Sequence, residues 1–197
     1  MRRSVLLCSL LFAAAGSAAD LRLVTVDPAH FHASQLHSGP LPGFSRDAYV
    51  YAPVGADLAG YWLSVAGWTA ASVQPDFWRF HSYTGTDYLA RMEADRPGDV
   101  LFLSGRNRRK IEYLETGIRL KMHALVDKPW IIEAGDFDRL RAVMDKAEAN
   151  GLIAYDCMSQ RYDIGYQLER ELVMDPEIFG QVQPGTPEQP AARLASS

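Results

Sequence analysis

Six short apolar stretches, each followed by a segment of helical periodicity, decide what this chain can fold into. Leu21-Arg22-Leu23-Val24-Thr25-Val26 alternates in a β-branched pattern and stops at Asp27-Pro28. Ala48–Ala52 stops at Pro53, and the aromatic-rich stretch Phe77–Tyr83 is a short third strand despite Arg79 and His81. Asp99–Leu103 opens onto Ser104-Gly105, His123–Val126 runs into Asp127-Lys128-Pro129, and Leu152–Tyr155 is the sixth strand. Ala29–Leu36 reads as a helix, closed by the cluster of Gly39, Pro40, Pro42 and Gly43. Leu58, Tyr61, Trp62 and Val65 share a helical face over Asp57–Trp68, with Gly67 and Thr69 marking the end. Thr86 or Asp87 caps a helix running through Glu93, and Ile111, Leu114 and Ile118 line one face of Asn107–Leu120. Phe137, Leu140, Val143, Met144 and Ala147 outline another, capped at Asn150-Gly151; Tyr166–Met174 is the last, with Leu168 and Leu172 inward.

Strand-helix alternation of this kind predicts a parallel sheet with right-handed crossovers and helices on both faces. Six strands predict the order 3-2-1-4-5-6, an α/β, Rossmann-type doubly wound parallel sheet. Ligands then bind beyond the C-terminal strand ends, near the switch between strands 1 and 4. Asp27, Ser104 and Lys128 fall at such ends.

A chain of 197 residues has room for one full domain and little more. The net charge of -4 leaves no basic excess to displace counterions from phosphates, so a general nucleic-acid partner is excluded. The local run of Arg106, Arg108, Arg109 and Lys110 reads as a solvated helix start. Residues 1–19 form a secretory signal peptide: Arg2 and Arg3 ahead of an apolar run from Val5 to Ala15, then Gly16-Ser17-Ala18-Ala19. The chain is therefore expected outside the cytoplasm, periplasmic or extracellular, and Arg2-Arg3 partly matches a twin-arginine signal. The apolar run is too short for a stable membrane span. Cys8 leaves with the signal, and Cys157 alone cannot form an intrachain disulfide. Residues 20–182 are the expected domain and 183–197 an unstructured tail without periodicity.

After the first strand, where a dinucleotide fold carries G-x-G-x-x-G, the chain reads Asp27-Pro28-Ala29-His30-Phe31-His32-Ala33. A pyrophosphate can still meet the N-terminus of the following helix, with His30 or His32 adding donors. His30-x-His32 also matches the histidine pair that begins a metal site in amidohydrolase barrels, but the chain is too short for eight strand-helix units, and no metal ligand is assigned. The second strand lacks the acid that accepts from adenosine ribose, and Asp57 reads as a helix-start acid. At the fifth strand, Pro129 fixes the turn that aims the Lys128 ammonium into the crevice.

The strand 1 segment, Val50-Tyr51-Ala52-Pro53, Asp127-Lys128-Pro129 and the segment Tyr155 to Tyr162 together resemble the glucose-fructose oxidoreductase and inositol dehydrogenase family (Gfo/Idh/MocA). More narrowly, they resemble a branch of secreted oxidoreductases in which an Asp-Pro-x-His-Phe-His segment takes the place of the glycine loop. The resemblance spans Leu21 to Thr186 and implies an NAD(P)-binding Rossmann domain, with NAD or NADP as cofactor, followed by a substrate domain. It implies Lys128 as a buried catalytic lysine that handles the proton of a sugar or polyol hydroxyl. Asp27, Pro28, His30, Phe31, His32, Pro53, Ser104, Gly105, Asn107, Asp127, Lys128 and Pro129 are then the residues around the cofactor. Two departures qualify it: the family's commoner form is Glu-Lys-Pro, and no histidine follows His123. The substrate domain is expected to be largely missing, which leaves this fragment inactive alone and oligomers possible only with that domain. A non-catalytic Rossmann-like binding module is the alternative, and a metal-dependent hydrolase built on His30 and His32 the third reading.

Overall fold

In the computed structural model, residues 20–180, 185, 186, 188 and 189 are described; the expected signal peptide and most of the expected tail lie outside them. The strands are β1 (Leu21–Val26), β2 (Phe44–Tyr51), β3 (Arg79–Tyr83), β4 (Val100–Leu103), β5 (His123–Val126) and β6 (Ala154–Asp156). The helices between them are α1 (Phe31–Gln35), α2 (Ala56–Ala71), α3 (Tyr88–Asp95), α4 (Lys110–Arg119) and α5 (Phe137–Ala149). All six strands are parallel, in the expected order β3-β2-β1-β4-β5-β6. The order reverses beside β1, which pairs with β2 through Val24 and Tyr49 and with β4 through Val24 and Leu101. Both faces of β1 and β4 are covered, which is why their sequences are near-continuous apolar runs.

Helix α4 shows how tightly the layers close. It buries Ile111, Leu114 and Ile118 against the sheet, and full burial of such side chains contributes roughly 1.5–3 kcal/mol each. Gly117 lets it approach: a Cβ there would sit 2.3 Å from Leu101 Cδ2. The helix begins at Lys110 rather than Asn107, whose carbonyl accepts from the Lys110 amide.

Other boundaries differ for local reasons. Strand β2 starts at Phe44, ahead of the expected Ala48, because its polar first half is paired: Asp47 accepts from Arg79 Nε at 2.5 Å and lies 2.6 Å from His81 Nε2. Those contacts, the Arg79 hydrogen bond first, hold the Asp47 carboxyl well below the usual range. They also account for the arginine and histidine in β3. Helix α2 runs through Gly67 to Ala71, since Thr69 returns its hydroxyl to the Val65 carbonyl and the extended Ser72 makes the break. Asp87 precedes α3 without capping it; its carboxylate accepts from the Tyr83 hydroxyl instead.

The chain divides after Asp156 into two compact units. The second contains α6 (Ile164–Met174), capped by Asp163 on the Gly165 and Tyr166 amides, and α7 (Pro176–Phe179), capped by Asp175. Leu168 and Leu172 were expected inward but are exposed; α6 carries apolar residues around much of its circumference and buries none. Among the described residues no helix is long and apolar enough to cross a membrane.

One buried histidine couples the fold to pH. His37 is fully buried, with Nε2 at 3.0 Å from the Tyr61 hydroxyl and its ring edge-on to Trp78 and Phe80. Burial lowers its pKa from 6.5 to about 4. The unfolded chain therefore takes up a proton in a range where the folded chain does not, so stability is complete above the unfolded value and is lost as pH falls toward the folded one. Between about pH 7.5 and about pH 5 this should remove about 2 kcal/mol of unfolding free energy. Urea titrations at the two pH values measure it; a His37→Gln chain with the same loss would assign the effect to another group.

Candidate functional site

The site forms where β1, β4 and β5 end side by side, each followed by a polar residue: Asp27, Ser104 and Asp127. After β1 the chain turns toward β4. Asp27 takes a left-handed backbone with φ of 46°, its amide donates to the Tyr51 carbonyl, and Pro28 bridges to Gly105. The amides of Ala29 and His30 both donate to the Ser104 carbonyl, at 3.1 and 3.0 Å. Gly105 is required here, because a Cβ would stand 1.9 Å from the Asp27 carbonyl oxygen. The close backbone approach that a glycine loop gives to a ligand is thus spent on packing one loop against another. The helix whose N-terminus was expected to meet a pyrophosphate begins at Phe31, and the Ala29 and His30 amides ahead of it are already occupied.

Asp127 is the centre of the cluster. Its side chain is 3% exposed; Oδ2 accepts from Ser104 Oγ at 3.0 Å and lies 2.7 Å from His30 Nδ1 and 3.2 Å from His32 Nδ1. Its other oxygen accepts from the Lys128 amide at 2.9 Å and stands 3.4 Å from the Lys128 ammonium. Burial raises the carboxyl's pKa, but the Ser104 hydrogen bond, the adjacent His32 and the Lys128 charge outweigh it and bring it down to about 2. The carboxylate is therefore ionised throughout the neutral range.

Lys128 itself was expected to be buried; its side chain is 49% exposed. It sits at the rim, with only the Asp127 carboxylate as a charged neighbour among the described salt bridges. The buried lysine is Lys110, expected on a solvated helix start and found 2% exposed. Its ammonium donates to Asn107 Oδ1 at 2.8 Å and to the carbonyls of Asp127 at 2.8 Å and Pro129 at 3.0 Å, fixing the turn that carries Lys128 and its cis Lys128-Pro129 bond. Lys110, Tyr113 and Gly117 are spaced three and four apart on the face that also buries Leu114. That spacing was the available signal that Lys110 points inward.

Other expected residues are divided. Asp27 faces a polar chain the sequence did not reveal: Tyr113 donates to its carboxylate at 2.9 Å, the Tyr88 and Tyr113 hydroxyls touch, and Arg109 donates to Tyr88 at 2.7 Å. Burial, then the Tyr88 contact and Asp27, push the Tyr113 hydroxyl's pKa far up, so it remains a donor. Phe31 is exposed and lies against the rings of His30 and His32. Asn107 is turned to Lys110, and Pro53 follows β2 away from Asp127. Asp57, read as a helix-start acid, is held by Arg106 in a two-pronged pair at 2.7 and 2.9 Å. It borders a cleft of about 290 Å³ shared by α1 and α2 and lined by Ala29, His30, Phe31 and Tyr61.

A doubly wound parallel sheet with its polar groups gathered at the β1-β4 switch defines a Rossmann-type ligand-binding domain. A protein of Parabacteroides merdae classed as an oxidoreductase is 35% identical, with a TM-score of 0.79 over 88% of this chain and 39% of its own. Myo-inositol 2-dehydrogenase from Lactobacillus plantarum shares the fold at 13% identity, TM-score 0.56, over 81% of this chain and 42% of its own. These neighbours are of the Gfo/Idh/MocA type, and this chain shares the Rossmann-type fold of the part of them that it matches. Biliverdin reductase from Synechocystis, solved with biliverdin and NADP+, shares the fold at 10% identity and TM-score 0.56, over 76% of this chain and 42% of its own. The chain thus spans about two-fifths of the length of these relatives. No protein-family model and no curated protein matches it.

Lys110→Met keeps the length of the stem and removes the ammonium, leaving two backbone carbonyls and Asn107 without their donor. Such losses in buried sites cost about 3 kcal/mol. The urea midpoint should fall accordingly, and an unchanged midpoint would show that the ammonium does not hold the turn.

Proposed function

We propose that this chain is the nucleotide-binding part of an NAD(P)-dependent oxidoreductase acting on a sugar or polyol hydroxyl. The observation that carries the reading is the Asp127-Lys128-Pro129 turn at the end of β5, facing the β1-β4 switch of a Rossmann sheet. Support comes from the 35% identical oxidoreductase of P. merdae, and from neighbours whose names include a polyol dehydrogenase and an NADP+ complex.

The residues present fit such a cofactor in an altered way. The Ala29 and His30 amides are bound to Ser104, so phosphate contacts would come from the first amides of α1 at Phe31 and His32 and from side chains, His30 at the cleft and the exposed Lys128. When bound, the nicotinamide supplies the hydride acceptor or donor. Lys128 then holds and moves the proton of the reacting hydroxyl, and Asp127 keeps the ammonium aimed. Ser104 and Lys110 orient that pair without touching substrate. Lys128 is the proton-handling residue that this part of the enzyme would supply, and the folded chain should bind the cofactor. Export through the Arg2-Arg3 signal belongs to the same reading, and mass spectrometry of the N-terminus on exported protein tests it.

A non-catalytic binding module is the second reading, and the occupied Ala29 and His30 amides favour it. Calorimetric titration of the folded chain with NAD, NADP and their reduced forms separates the two: binding in the millimolar range or tighter is expected, and none removes the first reading. Where the cofactor binds and the rest of the enzyme is supplied, Lys128→Ala should abolish reduction while sparing binding. Unchanged turnover would refute its role.

A further inference from the structure

We propose that His30, His32 and Asp127 hold a divalent transition-metal ion of the zinc type at the C-terminal edge of the sheet. Two imidazole nitrogens and one carboxylate oxygen lie within 4.8 Å of one another, a donor set that suits zinc and its first-row neighbours.

The two distances to the carboxylate are close to the demands of such an ion. Bonds of about 2.0–2.2 Å in a tetrahedron place neighbouring ligand atoms about 3.3 Å apart. His32 Nδ1 already stands 3.2 Å from Asp127 Oδ2, and His30 Nδ1, at 2.7 Å, needs to move outward by only about half an ångström. His30 has the freedom to do so, since its side chain is 40% exposed.

Hydrogen bonding does not explain the arrangement. Both Nδ1 atoms are buried and close to the same oxygen, yet neither is aligned to donate to it or to any other acceptor. A metal ion there would give both ring nitrogens a partner, with the two rings already edge to face at a centroid distance of 4.7 Å.

The surroundings are those of a supported site. Asp127 is fixed by Ser104 and by the Lys128 amide, so its position is set before any ion arrives. Oδ2 accepts one hydrogen bond, from Ser104, and retains a lone pair for the ion. Three protein ligands leave a fourth position for water or for an anion entering the cleft that His30 lines.

The test uses the chelator-stripped full chain with Zn²⁺ and Co²⁺ as probes and no nucleotide present, so it is read separately from the cofactor titration. Calorimetry should show one equivalent of Zn²⁺, and Co²⁺ should give the visible absorption of nitrogen and oxygen ligation. His30→Ala and His32→Ala should each weaken binding by ~100-fold or more. His81→Ala, at the distant pair with Asp47, should leave binding unchanged. Should His32→Ala fail to fold, the more exposed His30 still decides the matter. No binding up to about 1 mM Zn²⁺ by a folded chain, or binding that survives the His30 substitution, overturns the proposal.

Discussion

The crevice depends on one buried charge. A carboxylate taken out of water loses several kcal/mol of hydration, and it stays ionised in a fold only where donors and cations replace that water. Asp127 meets the condition with the Ser104 hydroxyl and the Lys128 amide and ammonium, and two imidazoles pack against the same carboxylate. Each partner then constrains something further. Ser104 must sit where its hydroxyl reaches Oδ2, which places its carbonyl under the Ala29 and His30 amides. That draws the β1 loop onto the β4 loop, and only glycine at position 105 survives the approach. A single charge at the end of β5 thereby fixes loops from three strands.

Lys110 supports the same turn from beneath. Its ammonium is buried and donates to the carbonyls of Asp127 and Pro129 and to Asn107 Oδ1. Three oxygens set at fixed angles around one ammonium hold the turn in a single geometry. This separates the two lysines by role. Lys110 is a positioning residue locked below the crevice, whereas Lys128 is left at the rim, where an ammonium can meet a ligand.

The layout of the sheet was legible in the sequence because it rests on local signals. Short apolar runs ended by Asp27-Pro28, Pro53 and Ser104-Gly105 mark the strands, and the crossover rule then leaves one sensible order. Asp27, Ser104 and Lys128 were placed at strand ends for the same reason. What stayed hidden depends on contacts between distant segments. The pairing of Asp127 with His30 and His32 crosses from β5 over β4 to the segment after β1, and no spacing within either segment encodes it. Lys110 looked solvated because the arginines beside it are. Helix α2 passed Gly67 because glycine in an exposed helix costs only about 1 kcal/mol against alanine, too little to end a helix whose Leu58, Tyr61 and Val65 are buried.

The missing glycine fingerprint changes how a ligand can be recognised here. A glycine loop binds phosphate with backbone amides, which carry no net charge and do not titrate. In this chain the amides of Ala29 and His30 are committed to Ser104, helix α1 begins only at Phe31, and the side chains of His30, His32 and Lys128 gather around Asp127 at the same sheet edge. Side chains move on their stems where backbone amides are fixed, so whatever the edge recognises meets adjustable groups as well as a helix start. The strand ends that the fold assigns to a ligand are therefore shaped here by one buried carboxylate and its partners, not by glycines.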